Sequence, residues 1–154
     1  MPRAALLLAL TLATGAAGAA ETHPQVWLNA GMLSHHFKDA GQYREENYGF
    51  GVEVFLTPRH GLLAGNFINS NDERSRYAGY HWRPWQQERA GLHISGGLAF
   101  ALIDGYSNTR EGRTFPVVLP ALSVEYKLLG AHLIFIPHPK NSSALALQLR
   151  LRVW

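Results

Sequence analysis

Apolar and small or polar side chains alternate along most of this chain, and no helical period competes with the two-residue repeat. Between Tyr48 and Thr57 one face carries Tyr48, Phe50, Val52, Val54 and Leu56, while the other carries Gly49, Gly51, Glu53, Phe55 and Thr57. The stretch Leu92 to Ile103 sets Leu92, Ile94, Leu98, Phe100 and Leu102 against His93, Ser95, Gly97, Ala99 and Ala101. In the last such stretch Leu145, Leu147, Leu149, Leu151 and Val153 oppose Ala146, Gln148, Arg150 and Arg152. The pattern predicts an all-β chain of eight strands, over residues 26–37, 48–57, 60–69, 76–85, 91–103, 116–127, 131–137 and 144–154.

Size decides which face points inward. A lumen closed by about eight strands has little spare room, so it accepts the small and polar set rather than a row of leucines. The leucine face then looks outward, and an outward apolar band on strands of about ten residues means lipid. Connections alternate in length as well. Lys38 to Asn47, Ser70 to Ser75, Asp104 to Phe115 and His138 to Ser143 are long and polar; Pro58-Arg59, Pro84 to Arg89 and Leu128 to Gly130 are short. Short periplasmic turns and longer outer loops predict an eight-stranded antiparallel transmembrane β-barrel of the bacterial outer membrane.

The N-terminus agrees. Met1 to Ala20 carries Arg3, an apolar run from Ala4 to Leu12 and a small-residue stretch ending near Ala20, which reads as a cleaved secretory signal too short to span a bilayer. Residues 21–154 are then a single barrel domain, expected to be a monomer inserted by the outer-membrane assembly machinery. With no cysteine in the sequence, no disulfide framework supports it. The formal net charge of +3 comes from scattered basic residues without a Lys/Arg cluster, which excludes nucleic acid as a partner.

Candidate chemistry sits at two strand ends, Ser34-His35-His36-Phe37 and Asn66-Phe67-Ile68-Asn69-Ser70, which this topology places together on the extracellular rim. Below them, Gly49, Gly51, Ala99, Ala101, Val117, Leu119 and Ala146 form a small apolar lining suited to a hydrocarbon chain. Glu53, Arg83, Glu125, Arg150 and Arg152 fall in the periplasmic half, where they would pair as a charged plug. Pro116, Pro120 and Pro137 lack the N–H a ladder needs, so the wall between strands six and seven should be weakly bonded. Adjacent His35 and His36 point to opposite faces and no spacing collects three ligands, so neither a metal centre nor a cofactor is expected.

Several motifs, in shared order and spacing, resemble the PagP family of lipid A palmitoyltransferases. They are Phe67-Ile68-Asn69-Ser70 followed by Ala78-Gly79-Tyr80 and Trp82; Pro116-Val117-Val118-Leu119-Pro120 with Ser123-Val124; Phe135-Ile136-Pro137; and Ser34-His35-His36. The resemblance implies an eight-stranded barrel that moves an acyl chain from a phospholipid to lipid A. It makes His36, Asn69 and Ser70 the catalytic candidates, and Pro116, Pro120 and Pro137 the flanks of a lateral gate. Alternatives are a lipid A deacylase or hydrolase using the same residues, and a non-catalytic barrel that binds an acyl chain or serves structurally; the His-x-Ser pair of His93 and Ser95 also marks the unrelated deacylase barrels, but here it begins an outgoing strand on the periplasmic side and reads as lumen packing.

Departures from the family pattern shape the expectation. Asn69 replaces an aspartate and cannot act as a carboxylate, although it can orient a histidine or bind an oxyanion. His81 replaces the glycine at the floor of the acyl pocket, which predicts a chain shorter than palmitate. On the family's second lipid-access side, Gly31 replaces a proline and no proline lies near Asn47.

Overall fold

A computed structural model describes residues 23–138 and 142–154. The proposed signal segment lies outside the described residues. Eight strands, β1 (Gln25–His36), β2 (Glu46–Thr57), β3 (His60–Ile68), β4 (Arg74–Arg89), β5 (Leu92–Ile103), β6 (Phe115–Tyr126), β7 (Leu129–Ile136) and β8 (Ala144–Arg152), pair antiparallel in sequence order. β8 closes on β1, so no sheet edge remains.

The inside-out reading of the faces holds. Leu62, Leu102 and Leu149 on the outer face stay exposed, the last by 60 %, while Trp27 and Phe55 are fully buried in the lumen. No water-soluble barrel would present such a band, because each exposed leucine forfeits about 2 kcal/mol of burial.

One turn differs from expectation. β4 does not end at Pro84 but runs on to Arg89, absorbing the proline where its register against β5 shifts between Trp82 and Trp85. An interruption of this kind is where a strand tolerates a residue without an N–H. The turn is instead Ala90-Gly91, both with positive φ (53° and 76°), as a two-residue hairpin of the primed type requires.

A second register shift falls in β1 between Ala30 and Met32 and disturbs pairing with both β2 and β8. Beyond it the β1–β2 ladder resumes up to Leu33 and Glu46, so this side is closed to the rim. β6 and β7 behave differently. Their pairing runs from Tyr126–Leu129 to Ala121–Ile134 and stops, leaving Phe115 to Pro120 unpaired on that edge, although the same residues stay in register with β5.

Candidate functional site

The barrel floor is a charged network. Glu53 on β2 accepts hydrogen bonds from His81 Nδ1 (2.6 Å), His132 Nε2 (2.9 Å) and Arg150 (2.6 Å). Glu125 on β6 accepts from Arg150 at 2.7 Å and from Arg83. The guanidinium of Arg83 lies 3.5 Å from the Phe55 ring centroid and that of Arg150 3.9 Å from Trp27. Two carboxylates thus face two guanidiniums, which is how buried ions are tolerated. Of the five expected plug residues four interlock, while Arg152 lies at the edge, 5.6 Å from the Trp27 ring.

His132 was not anticipated. Its β7 strand is short and mostly apolar, and only closure of the barrel brings it to Glu53. The expectation that no three ligands converge therefore needs correction: Glu53, His81 and His132 bring one ligand atom each within 4.8 Å of one another. The Arg150 guanidinium, hydrogen-bonded to Glu53, already supplies the cation there.

Above the floor a cavity of about 760 Å³ rises to the outer rim, within the range of small-molecule sites. Ala99, Ala101, Val117, Leu119 and Ala146 line it as the alternation implied, but Gly49 and Gly51 do not. The side chains of Phe67 and Tyr77 fold over that glycine strip, so a Cβ on Gly51 would lie 2.2 Å from the Tyr77 hydroxyl. His81 lines the lower end, buried against Phe55 and His132 with ring centroids 5.6 and 5.3 Å away.

His36 and Ser70 both reach the cavity mouth. The His36 ring stacks on Tyr43 at 4.4 Å between centroids, and its Nδ1 is buried without a hydrogen-bond partner among the described residues. No hydrogen bond joins it to Ser70. The Ser70 carbonyl accepts the Arg44 N–H at 3.0 Å, and Arg44 in turn donates to Asp72 at 2.6 Å, pinning two outer loops together.

Asn69 is fully buried (0 % exposed) beside Ser70 and does not line the cavity. Its amide donates to Ser75 Oγ (3.0 Å) and to the Gly105 carbonyl (2.9 Å), and its oxygen accepts the N–H groups of Asn71 (2.9 Å) and Glu73 (3.1 Å). All four hydrogen-bonding positions of the side chain are used. An aspartate would confront the Gly105 carbonyl with a second acceptor, which gives the departure from the family residue a structural reason.

Further ties hold the outer loops. Asp104 accepts three hydrogen bonds from Arg76 and Glu73 accepts the Ser107 N–H at 2.9 Å. These bonds hold both carboxyls below their ordinary values. Tyr106 packs edge-on against Phe115 at the mouth, and burial pushes its hydroxyl up to about 12.

The three prolines border the unpaired part of the β6–β7 seam. Pro116 and Pro137 touch the cavity, while Pro120 faces outward at the point where pairing stops. Because the β5 ladder is continuous through Pro116 and Pro120, their missing donors fall on the β7 edge. Val118, whose side chain is on the outer face, also lines the cavity, so the cavity reaches the outer face at this seam.

Residues 26–150 match the family described as antimicrobial peptide resistance and lipid A acylation protein PagP. A relative from Laribacter hongkongensis (strain HLHK9), named lipid A acyltransferase PagP, is 29% identical over 109 residues, which is 66% of this chain and 50% of the relative. The chain spans about half the length of that curated relative. Among solved structures, the de novo designed barrel TMB2.3 superposes with a TM-score of 0.54 at 10% identity, covering 85% of this chain and 95% of the design, a likeness of fold alone.

Proposed function

The chain belongs to the PagP family, a family of bacterial outer-membrane barrels, and from that premise we propose that it transfers an acyl chain from a phospholipid to lipid A. The observation that carries the proposal is the cavity: its apolar lining ends sideways at an unpaired seam facing lipid, and His36 and Ser70 stand at its mouth. An acyl chain enters through the β6–β7 seam and lies along Ala99, Ala101 and Leu119, which brings its ester to the rim.

In this reading His36 is the general base, taking the proton of the acceptor hydroxyl as that oxygen attacks the ester carbonyl. The Ser70 hydroxyl donates to the developing oxyanion. The donor's ester C–O bond breaks as the new one forms, and His36 returns the proton to the departing lysophospholipid oxygen. Asn69 is a positioning residue that fixes the loop carrying Ser70. His81, occupying the lower end of the cavity, shortens it, and the transferred chain is shorter than palmitate. A barrel closed by β8 on β1 has no terminal strand seeking a partner, and we read it as a monomer.

Mass spectrometry of lipid A from cells making the wild type, Ser70→Ala and His36→Ala tests this. The wild type adds one chain, and each variant loses about a hundredfold or more of the acylation rate. Unchanged lipid A in every strain sinks the enzyme reading and leaves an acyl-binding barrel. Loss of a chain identifies a deacylase instead, and addition of palmitate overturns the role given to His81. Asn69→Asp is expected to lower acylation, by setting two acceptors against each other at Gly105.

A further inference from the structure

The outer loop between β5 and β6 holds a conformation that its sequence resists. Arg110, Glu111 and Gly112 follow one another in the left-handed region, with φ of 60°, 56° and 75°, and only the third is a residue that adopts it at no steric cost. Hydrogen bonds keep the turn in place. The Gly112 N–H donates to the Tyr106 carbonyl (3.0 Å), the Gly112 carbonyl accepts from the Gly105 N–H (3.1 Å), and the Arg110 carbonyl accepts both the Arg113 N–H (3.0 Å) and Arg113 Nε (3.3 Å). Backbone held in a sparsely populated region by its surroundings points to a functional demand on the side chain it presents. That side chain is Arg110, which borders the cavity mouth together with His36, Ser70 and Asn71.

Charge sets Arg110 apart. The other arginines of the outer rim are engaged: Arg44 with Asp72 (2.6 Å), Arg76 with Asp104 (2.7 Å), Arg113 with Glu111 (3.4 Å) and Arg74 with the Asn66 amide oxygen (3.1 Å). The Arg110 guanidinium makes no hydrogen bond or ion pair among the described residues, and its neighbour Glu111 is turned to Arg113. Among the described residues that line the cavity the one carboxylate is Glu53, on the floor, so the mouth carries a fixed positive charge and no negative one. We propose that Arg110 binds the phosphate of a lipid headgroup, its planar fork taking two phosphate oxygens while the lipid's chain lies in the cavity below. The inference rests on the reading of this cavity as an acyl pocket. The phosphodiester of the donor phospholipid and a phosphate monoester of lipid A offer the same chemistry, and the probes below separate them.

The test uses the full chain folded into an uncharged amphipol, with native mass spectrometry as the readout. Its probes are monotetradecanoylglycerol, the phosphate monoester of that lipid and its phosphoglycerol diester, which share one chain, so that the fit of the hydrocarbon cancels. The wild type binds each phosphate-bearing probe about tenfold or more tightly than the uncharged one, as charge-assisted hydrogen bonds allow. Arg110→Ala removes that margin and leaves the uncharged probe bound as before. Arg110→Lys keeps part of it, because an ammonium retains the charge without the fork. Arg74→Ala, which takes the same charge from the outer face, keeps the wild-type margin. A monoester bound more tightly than the diester supports the proposal with lipid A as the source of the phosphate; a diester bound as tightly or more so supports it with the phospholipid as the source. Heat-modifiable gel mobility shows that each variant is folded. No margin in the wild type, an unchanged margin in Arg110→Ala, or an equal loss in Arg74→Ala overturns the proposal. A protein that shows these margins yet leaves lipid A unmodified refutes the transferase reading alone.

Discussion

The two ends of the lumen are built on opposite terms. At the periplasmic end the ladder is complete across β6 and β7, large side chains are buried, and the two lumenal carboxylates, Glu53 and Glu125, each meet a guanidinium. At the outer end one seam is unpaired and a cavity replaces packing. The contrast shows how a small barrel carries a weak wall. Stability is concentrated where no substrate goes, which leaves the outer half free to open locally.

The largest effect should come from breaking the lower end. Arg150→Met leaves Glu53 and Glu125 short of a cation in a closed interior and should cost about 3–5 kcal/mol; urea unfolding of the barrel in vesicles measures it, and a loss no larger than that of an exposed arginine would show the network to be ornamental. Repairing the upper end should act in the other direction. Pro116→Ala with Pro120→Ala returns two donors to the β7 edge, so stability rises by about 0.5–1.5 kcal/mol for each bond formed while lipid uptake slows. Faster uptake would mean that the seam is not the entrance. The smallest effect concerns the loops above the cavity.

Hydrogen bonds from Ser107 to Glu73 and from Arg76 to Asp104 lower both carboxyl pKa values. Their ordering contribution is therefore complete above the ordinary values of 4.5 and 3.8 and is lost as pH falls through the lower folded values. Amide exchange in residues 104–114 should accelerate over that acid range while the strands stay protected, and exchange that does not change with pH would remove these bonds from the account.

Much of this architecture was legible in the residue order. Alternation located all eight strands, and the volume of the lumen decided which face met lipid, because a row of leucines cannot fit inside. The prolines forecast the weak seam for the same reason that Pro84 misled: a missing N–H is read alike whether the ladder ends or merely shifts register. What a periodicity cannot convey is azimuth. Gly49 and Gly51 looked like open lining, yet Phe67 from the next strand covers the first and Tyr77 from two strands away the second, and Glu53, His81 and His132 meet only because the sheet closes. Asn69 was legible as a rim residue, but its saturation by Ser75, Gly105, Asn71 and Glu73 depends on loop geometry that spacing does not encode.

The paired charges at the floor have a further consequence, for permeability. A cylinder through a membrane is ordinarily a conduit, yet Arg83, Arg150, Glu53 and Glu125 interlock across this one with Trp27 and Phe55 wedged beside them. An ion arriving from the mouth meets this interlock of paired charges. On the proposed reading the barrel is a blind alley, which takes a lipid tail through its wall above the interlock and not through the floor.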